Sequence, residues 1–398
     1  MHARTRPAPA RGAAARAVAR ASRGVAAPAR AHAEPSLRPP DALLLGAVAF
    51  LVAIGLVMVF SASSATAYAD FHDTAHYLKR QLLYLAVGIV LAYVAYRVDY
   101  RRLRGLAPPF VVVAFLLLVV TLVPHVGFAM GGARRWLGFH SVSFQPSELG
   151  KLALVLFLAA KLAQLNEDVR SLSKGVAPVL FVTMLLAAPV LVEPDMGTAS
   201  LYVFTAFALL FTAGARLPHL IMSLMVMLPP AAYAVGASAY KRARIFAFLD
   251  PWKDAQNTGF HIVQSLLALG SGGLFGVGLG ASRQKYFYLP EAHNDFIFAV
   301  LGEELGMLGC VAVIALFVVF AVRAVDLALK APDRFGMLLA MGCTFTIVIQ
   351  AFVNIGVVTS SWPVTGVPLP FISFGGTSLI VSLVLVALIA NVGRHRTT

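Results

Sequence analysis

The stretch Pro290-Glu291-Ala292-His293-Asn294-Asp295-Phe296-Ile297-Phe298-Ala299 sets two carboxylates and a histidine at the lip of a long apolar segment. Desolvating an ionisable group at a membrane boundary is costly, so such a group faces protein, water or a substrate. A single well-placed carboxylate can act as general base on a hydroxyl. Cations are the complementary requirement, because they stabilise negative charge that develops on a leaving group. Lys151 lies inside the start of another apolar segment, where an idle charge is expensive, and Glu148 is one helical turn before it, close enough to pair. The run Lys241-Arg242-Ala243-Arg244 reads equally as a binding surface and as interfacial anchoring. Glu193 and Asp195 flank Pro194 in a tight turn and read as structural. His293 is two residues from Asp295 and reads as a loop contact rather than a relay. With Asp295 in the opening turns of a helix that starts near Pro290, Glu304 falls about 180° from it and Glu303 about 80°. At least one of these two glutamates then packs against another span.

The elements that must position these residues are membrane helices. The chain has 398 residues, of which 59% are hydrophobic and 13% charged, and its mean hydropathy is +0.80. Globular domains run nearer about 45–50% apolar and about 25% charged, so an all-α polytopic membrane protein is expected. The net charge of +14 fits basic residues that orient membrane spans better than it fits nucleic acid. Cys310 and Cys343 both fall in apolar segments, which argues against a disulfide framework. Residues 1–40 contain eight arginines with many alanines and several prolines, and read as a disordered basic cytoplasmic tail.

A span needs about 20 mostly apolar residues. Ten segments qualify: 42–61, 80–96, 106–124, 147–163, 175–192, 197–214, 217–237, 294–322, 336–358 and 373–392. The tail and the loops after even-numbered spans carry most lysines and arginines, so both termini are expected to be cytoplasmic. The long loop 238–293, between spans seven and eight, then lies outside, as do 125–146, 362–372 and the Asp295 lip. Within the long loop, His261–Gly280 reads as a surface-lying or re-entrant piece rather than an eleventh span. No phosphate-binding P-loop pattern and no dinucleotide glycine fingerprint occurs.

Four clusters converge on the outward side: Gly131–Gly138 with Phe144–Lys151; Glu193-Pro194-Asp195-Met196-Gly197-Thr198-Ala199; Lys241–Phe260 with Arg283–Asp295; and Pro363–Ser378, a glycine- and proline-rich stretch suited to a tight or re-entrant loop. Together they resemble the SEDS family (shape, elongation, division and sporulation; the FtsW/RodA/SpoVE proteins) over about residues 41–394. Pro290-Glu291-Ala292-His293 is most similar to the cell-division branch, typified by FtsW, and the basic N-terminal extension fits that branch. Asn294 stands where the family usually has threonine, and Phe374 where tyrosine is common.

The resemblance implies a peptidoglycan glycosyltransferase of the bacterial cytoplasmic (inner) membrane. Such enzymes polymerise lipid II into a growing glycan strand outside the cytoplasm, alongside a class B penicillin-binding protein and other membrane proteins of the division machinery. Asp295 matches the family's essential aspartate. A lipid-pyrophosphate donor needs no nucleotide, and direct displacement of the pyrophosphate inverts the anomeric carbon with one general base. The candidate substrate-binding residues are Arg134, Arg135, Glu148, Lys151, Lys241, Arg242, Arg244, His293, Ser373, Gly375 and Gly376. The basic ones would neutralise the pyrophosphate. No closed metal-ligand set is visible, although Asp or Glu with waters would suffice for Mg or Mn. Rival readings are a lipid II flippase and a non-enzymatic scaffold that activates the transpeptidase. Charges gathered at the rim rather than through the membrane centre favour surface chemistry over a flippase.

Overall fold

The computed structural model describes residues 38–396, apart from 131–132, 140–141 and 287. The expected basic tail therefore lies outside the described residues up to Leu37. Twelve α-helices carry the described chain: α1 (Ala42–Phe71), α2 (His76–Arg97), α3 (Tyr100–Leu122), α4 (Pro146–Leu165), α5 (Ala177–Val192), α6 (Met196–Thr212), α7 (Leu217–Gly236), α8 (Ala239–Leu249), α9 (Phe260–Gly272), α10 (Ile297–Leu329), α11 (Arg334–Val358) and α12 (Gly376–Arg394). The remaining regular structure is two 3-10 turns (Asn166–Arg170 and Pro251–Asp254), a π-helical turn (Leu172–Val176) and a small antiparallel ladder, β1 (Phe128–Met130), β2 (Ala133–Phe139) and β3 (Val142–Phe144).

Each of the ten apolar segments of the sequence is helical, in α1–α7 and α10–α12. Seven helices are long and apolar enough to cross a membrane, while α6, α7 and α9 are shorter apolar helices. The first runs ten residues past its expected end at residue 61, to a left-handed cap at His72. Hydropathy marks where lipid ends, not where a helix ends. The Ser61–Ala69 continuation is alanine-rich and helix-favouring, and the Ser64 hydroxyl bonds back to the Ser61 carbonyl at 3.1 Å.

The centre of the bundle is α11, packed against α4, α6, α10 and α12. Consecutive helices α2 and α3 take different partners: α2 lies along α12, and α3 along α4. The first pairing is close because the Tyr84 ring lies against Gly376, and Asn391 on α12 donates to the carbonyls of Ala95 at 2.8 Å and Tyr96 at 3.1 Å at the end of α2.

Within α10 the helix is interrupted at Gly306, whose φ of 69° and ψ of −168° are open to glycine but strained for other residues. The freed backbone groups pair with the segment after α9. Val277 and Gly278 donate to the carbonyls of Glu303 (2.9 Å) and Glu304 (3.1 Å), while Met307 and Leu308 donate to those of Gly273 (2.9 Å) and Leu274 (3.2 Å). No buried backbone group can be left unpaired in an apolar setting, so this segment and the break stabilise each other.

Candidate functional site around Asp295

Asp295 does not lie in a helix. The chain from Pro290 to Phe296 is a series of turns, with Glu291 at a positive φ of 52°, and α10 begins only at Ile297. The carbonyls an earlier helix would need are already taken. That of His293 accepts from the Phe374 N–H (2.9 Å), that of Asn294 from the Ser373 hydroxyl (2.6 Å), and that of Asp295 from Asn354 Nδ2 (2.8 Å). Asn354, on α11, also donates to the Val367 carbonyl at 2.8 Å. It thus ties the Asp295 turn to the loop between α11 and α12.

That loop is irregular, as its glycines and prolines led one to expect, and it faces the carboxylate at Gly366. A Cβ added there would sit 3.5 Å from Asp295 Oδ2, on a backbone with φ of 73°. On its other side the loop meets the first turn of α6, where Gly197 abuts Thr365 and Val367. Asp195 caps α6 by accepting from the Thr198 N–H at 3.0 Å and hydroxyl at 2.9 Å. Arg135, on β2, donates to the carbonyls of Glu193 (3.1 Å) and Pro194 (2.9 Å) and lies 3.8 Å from an Asp195 oxygen. Arg244, on α8, donates to the Val364 carbonyl at 3.3 Å.

Among the described residues, no donor hydrogen-bonds the Asp295 carboxylate. Burial raises its pKa to about 7, helped by the nearby charges of Glu291 and Asp195 and opposed by Arg135 and Arg244. Glu193 is likewise pushed up to about 7 by burial, although the Thr121 hydroxyl donates to it. Burial holds His293 below its ordinary range, and its ring packs 4.5 Å from Tyr77 and 5.8 Å from Phe374, a loop contact as its position suggested.

The other sequence candidates separate into groups. Arg135 and Arg244 reach the electrostatic surroundings of Asp295, whereas Arg134 and Arg242 are exposed; successive strand residues point to opposite faces, which parts Arg134 from Arg135. The side chain of Lys241, like Gly131 and Gly132, lies outside the described residues. Glu148 and Lys151 form a buried ion pair at 2.6 Å, and Lys151 also donates to Gln350 at 2.6 Å. Gln350 in turn donates to the Pro368 carbonyl at 2.9 Å, so the pair braces α4, α11 and the loop. The Ser373 hydroxyl accepts from Leu369 N–H at 2.8 Å while donating to Asn294, and Gly375 N–H faces Gln81 at 3.5 Å. Ser373 and Gly375 therefore build the loop, while Gly376 opens α12 against the Tyr84 ring. Among the described residues, no group of three or more His, Cys, Asp or Glu side chains is placed to hold a metal ion.

The helical wheel that placed Glu303 and Glu304 assumed a helix running through Asp295, but that residue precedes α10. The expectation that at least one of them packs against another span holds, because Glu304 accepts from the Ser61 hydroxyl of α1. Both glutamates are buried and both hold the chain at Ser282–Lys285. Asn354 and Gln350 were missed. Their signal is a pair of amide side chains four residues apart inside an apolar span, where unpartnered polar groups are costly.

Apolar helices in this number, with a carboxylate that no described residue donates to, facing a glycine turn with two arginines at one end of the bundle, define a polytopic membrane protein with a carboxylate-centred site. The chain belongs to the FtsW/RodA/SpoVE family, whose profile, described as a cell cycle protein, matches residues 41–398. It is 46% identical over 351 residues to a probable peptidoglycan glycosyltransferase FtsW of Geobacter metallireducens, covering 88% of this chain and 93% of that one. It is 42% identical over 356 residues to stage V sporulation protein E of Bacillus subtilis, covering 89% and 97%. Among solved structures, a chain of a peptidoglycan synthase complex that coordinates polymerization and crosslinking matches with a TM-score of 0.74 and 32% identity, over 89% of this chain and 98% of that one. The rod shape determining protein RodA of Thermus thermophilus matches with a TM-score of 0.64 and 30% identity, over 90% and 98%.

Proposed function

We propose that this chain is a peptidoglycan glycosyltransferase that polymerises lipid II into glycan strands, with Asp295 as the general base. The observation that carries this reading is the Asp295 carboxylate itself: it has no hydrogen-bond donor among the described residues, and its pKa of about 7 suits proton transfer at neutral pH. The acceptor sugar's hydroxyl gives its proton to Asp295, and its oxygen attacks the anomeric carbon of the donor. The bond to the lipid pyrophosphate breaks and the configuration inverts. Arg135 and Arg244 are the cations nearest in effect to Asp295, and they favour negative charge on the departing pyrophosphate.

Lysine and arginine bias puts both termini in the cytoplasm and this end of the bundle outside, in a ten-span arrangement. A class B penicillin-binding protein is the expected partner, in keeping with the similarity to a chain of a peptidoglycan synthase complex. The relatives named FtsW support a role in septal synthesis.

The test is polymerisation of labelled lipid II by the purified protein with its transpeptidase partner. Wild-type protein is expected to make long strands, and Asp295→Asn to lower the rate by about 10²-fold or more. Normal polymerisation by Asp295→Asn would overturn the mechanism, and transbilayer movement of lipid II without polymer would replace the function with a flippase.

A further inference from the structure

Three charged side chains outside this site form a second buried cluster, and the polymerase mechanism does not use them. Glu304 Oε1 accepts from the Ser61 hydroxyl of α1 at 2.6 Å and from the Ser282 N–H at 3.3 Å, and lies 3.5 Å from Lys285 Nζ. Glu303 accepts from the Arg283 N–H (3.1 Å), the Gln284 N–H (3.4 Å) and the Ser282 hydroxyl (2.5 Å). Lys285 also donates to the Gly280 carbonyl. The Lys285 side chain is 4% exposed and that of Glu304 0%. All of this sits beside the interruption of α10 at Gly306, where the segment after α9 supplies the missing backbone partners.

From this cluster the chain runs directly to the site. Leu289, itself buried, closes the loop by donating to the Gln284 carbonyl at 2.9 Å, and the Pro290–Asp295 turn follows at once. One end of that turn is therefore held by the cluster and the other by α10.

We propose that Lys285, Glu303 and Glu304 are positioning residues, which lock the 273–289 loop onto the broken helix and through it set where the Asp295 carboxylate stands. The inference rests on the polymerase reading above. A shift of the base by about 1 Å costs about 10²-fold in rate, so a loosened lock reads out as lost turnover. Lys285 acts here through Glu304 and does not touch the pyrophosphate. These two roles give opposite results in a double variant. Removing one member of a buried ion pair strands the other, whereas removing both relieves the penalty.

The experiment compares wild type, Lys285→Met, Glu304→Gln and the double variant as full-length protein, in the lipid II polymerisation assay and in limited proteolysis by trypsin at Arg283. Lys285→Met is expected to polymerise at least tenfold more slowly and to be cut faster at Arg283. Adding Glu304→Gln should restore most of both losses. A double variant no better than Lys285→Met would overturn the proposal and make Lys285 a substrate contact. Cleavage unchanged by Lys285→Met would also overturn it. The proteolysis arm needs no activity, so it still tests the lock if the wild type makes no polymer and the polymerase reading fails. Ser282→Ala removes a hydroxyl without stranding a charge and serves if Lys285→Met does not fold. Faster cleavage at an unchanged melting temperature supports the lock, and unchanged cleavage overturns it.

Discussion

Two acids near the same end of the bundle have opposite surroundings. Glu148 is closed: Lys151 meets it at 2.6 Å, Lys151 also donates to the Gln350 side-chain oxygen, and the network runs on to Pro368. Asp295 is open, with no donor among the described residues and its two arginines occupied by backbone carbonyls. A closed pair has spent its charge on holding helices together. An open carboxylate has kept its charge for something that arrives, and has the raised pKa that goes with that.

The largest effect that would break this contrast is on Lys151. Lys151→Met leaves Glu148 buried and alone, which costs about 3–5 kcal/mol, so a large loss of melting temperature is expected. Glu148→Gln in the same chain should recover much of it. Asp295→Asn, by contrast, should melt like wild type while losing polymerisation. If Lys151→Met melts normally and only activity falls, the closed pair belongs to the substrate and the contrast fails.

Next in size is Asn354→Ala. It leaves the carbonyls of Asp295 and Val367 without their shared donor, at about 1–3 kcal/mol for each buried group that stays unsatisfied. Thermal melting should register the loss, and polymerisation should fall alongside it because the base loses its tie to the Gly366 loop. A variant that melts lower yet polymerises at the wild-type rate would show that the turn is held elsewhere.

The smallest effect is the most specific. The ionised form of Asp295 is the base, so activity should fall as pH drops through about 7. Glu291 raises that pKa by repulsion, so Glu291→Gln should move the acid limb to lower pH. Arg135 lowers it, so Arg135→Gln should move the limb to higher pH. Rate–pH profiles that do not move in these directions would mean that another group sets the limb.

Much of the frame was legible because lipid imposes a simple rule: long apolar runs become helices. The same rule hid the details. Asp295 was expected inside a helix because Pro290 is a good first residue, but the carbonyls that decide the matter bond to Ser373, Phe374 and Asn354, 59 to 81 positions along the chain. Glu303 and Glu304 were placed on a helical wheel counted from Asp295, which precedes the helix, and the glycine that breaks α10 just beyond them carries no warning inside an apolar span. Arg134 and Arg135 looked equivalent until a strand put them on opposite faces. Asn354 and Gln350, four residues apart in an apolar helix, were readable and went unread.

The interruption at Gly306 also has a mechanical meaning. A helix carries a push along its axis only while its ladder of bonds is continuous. In α10 that ladder is diverted sideways into residues 273–278. Strain applied to the stretch below Gly306, much of whose apolar surface is exposed at Met307, Leu308 and Val311, is delivered first to that neighbouring segment rather than straight up to Asp295. The lower half of the helix thus works as a lever whose fulcrum is a glycine.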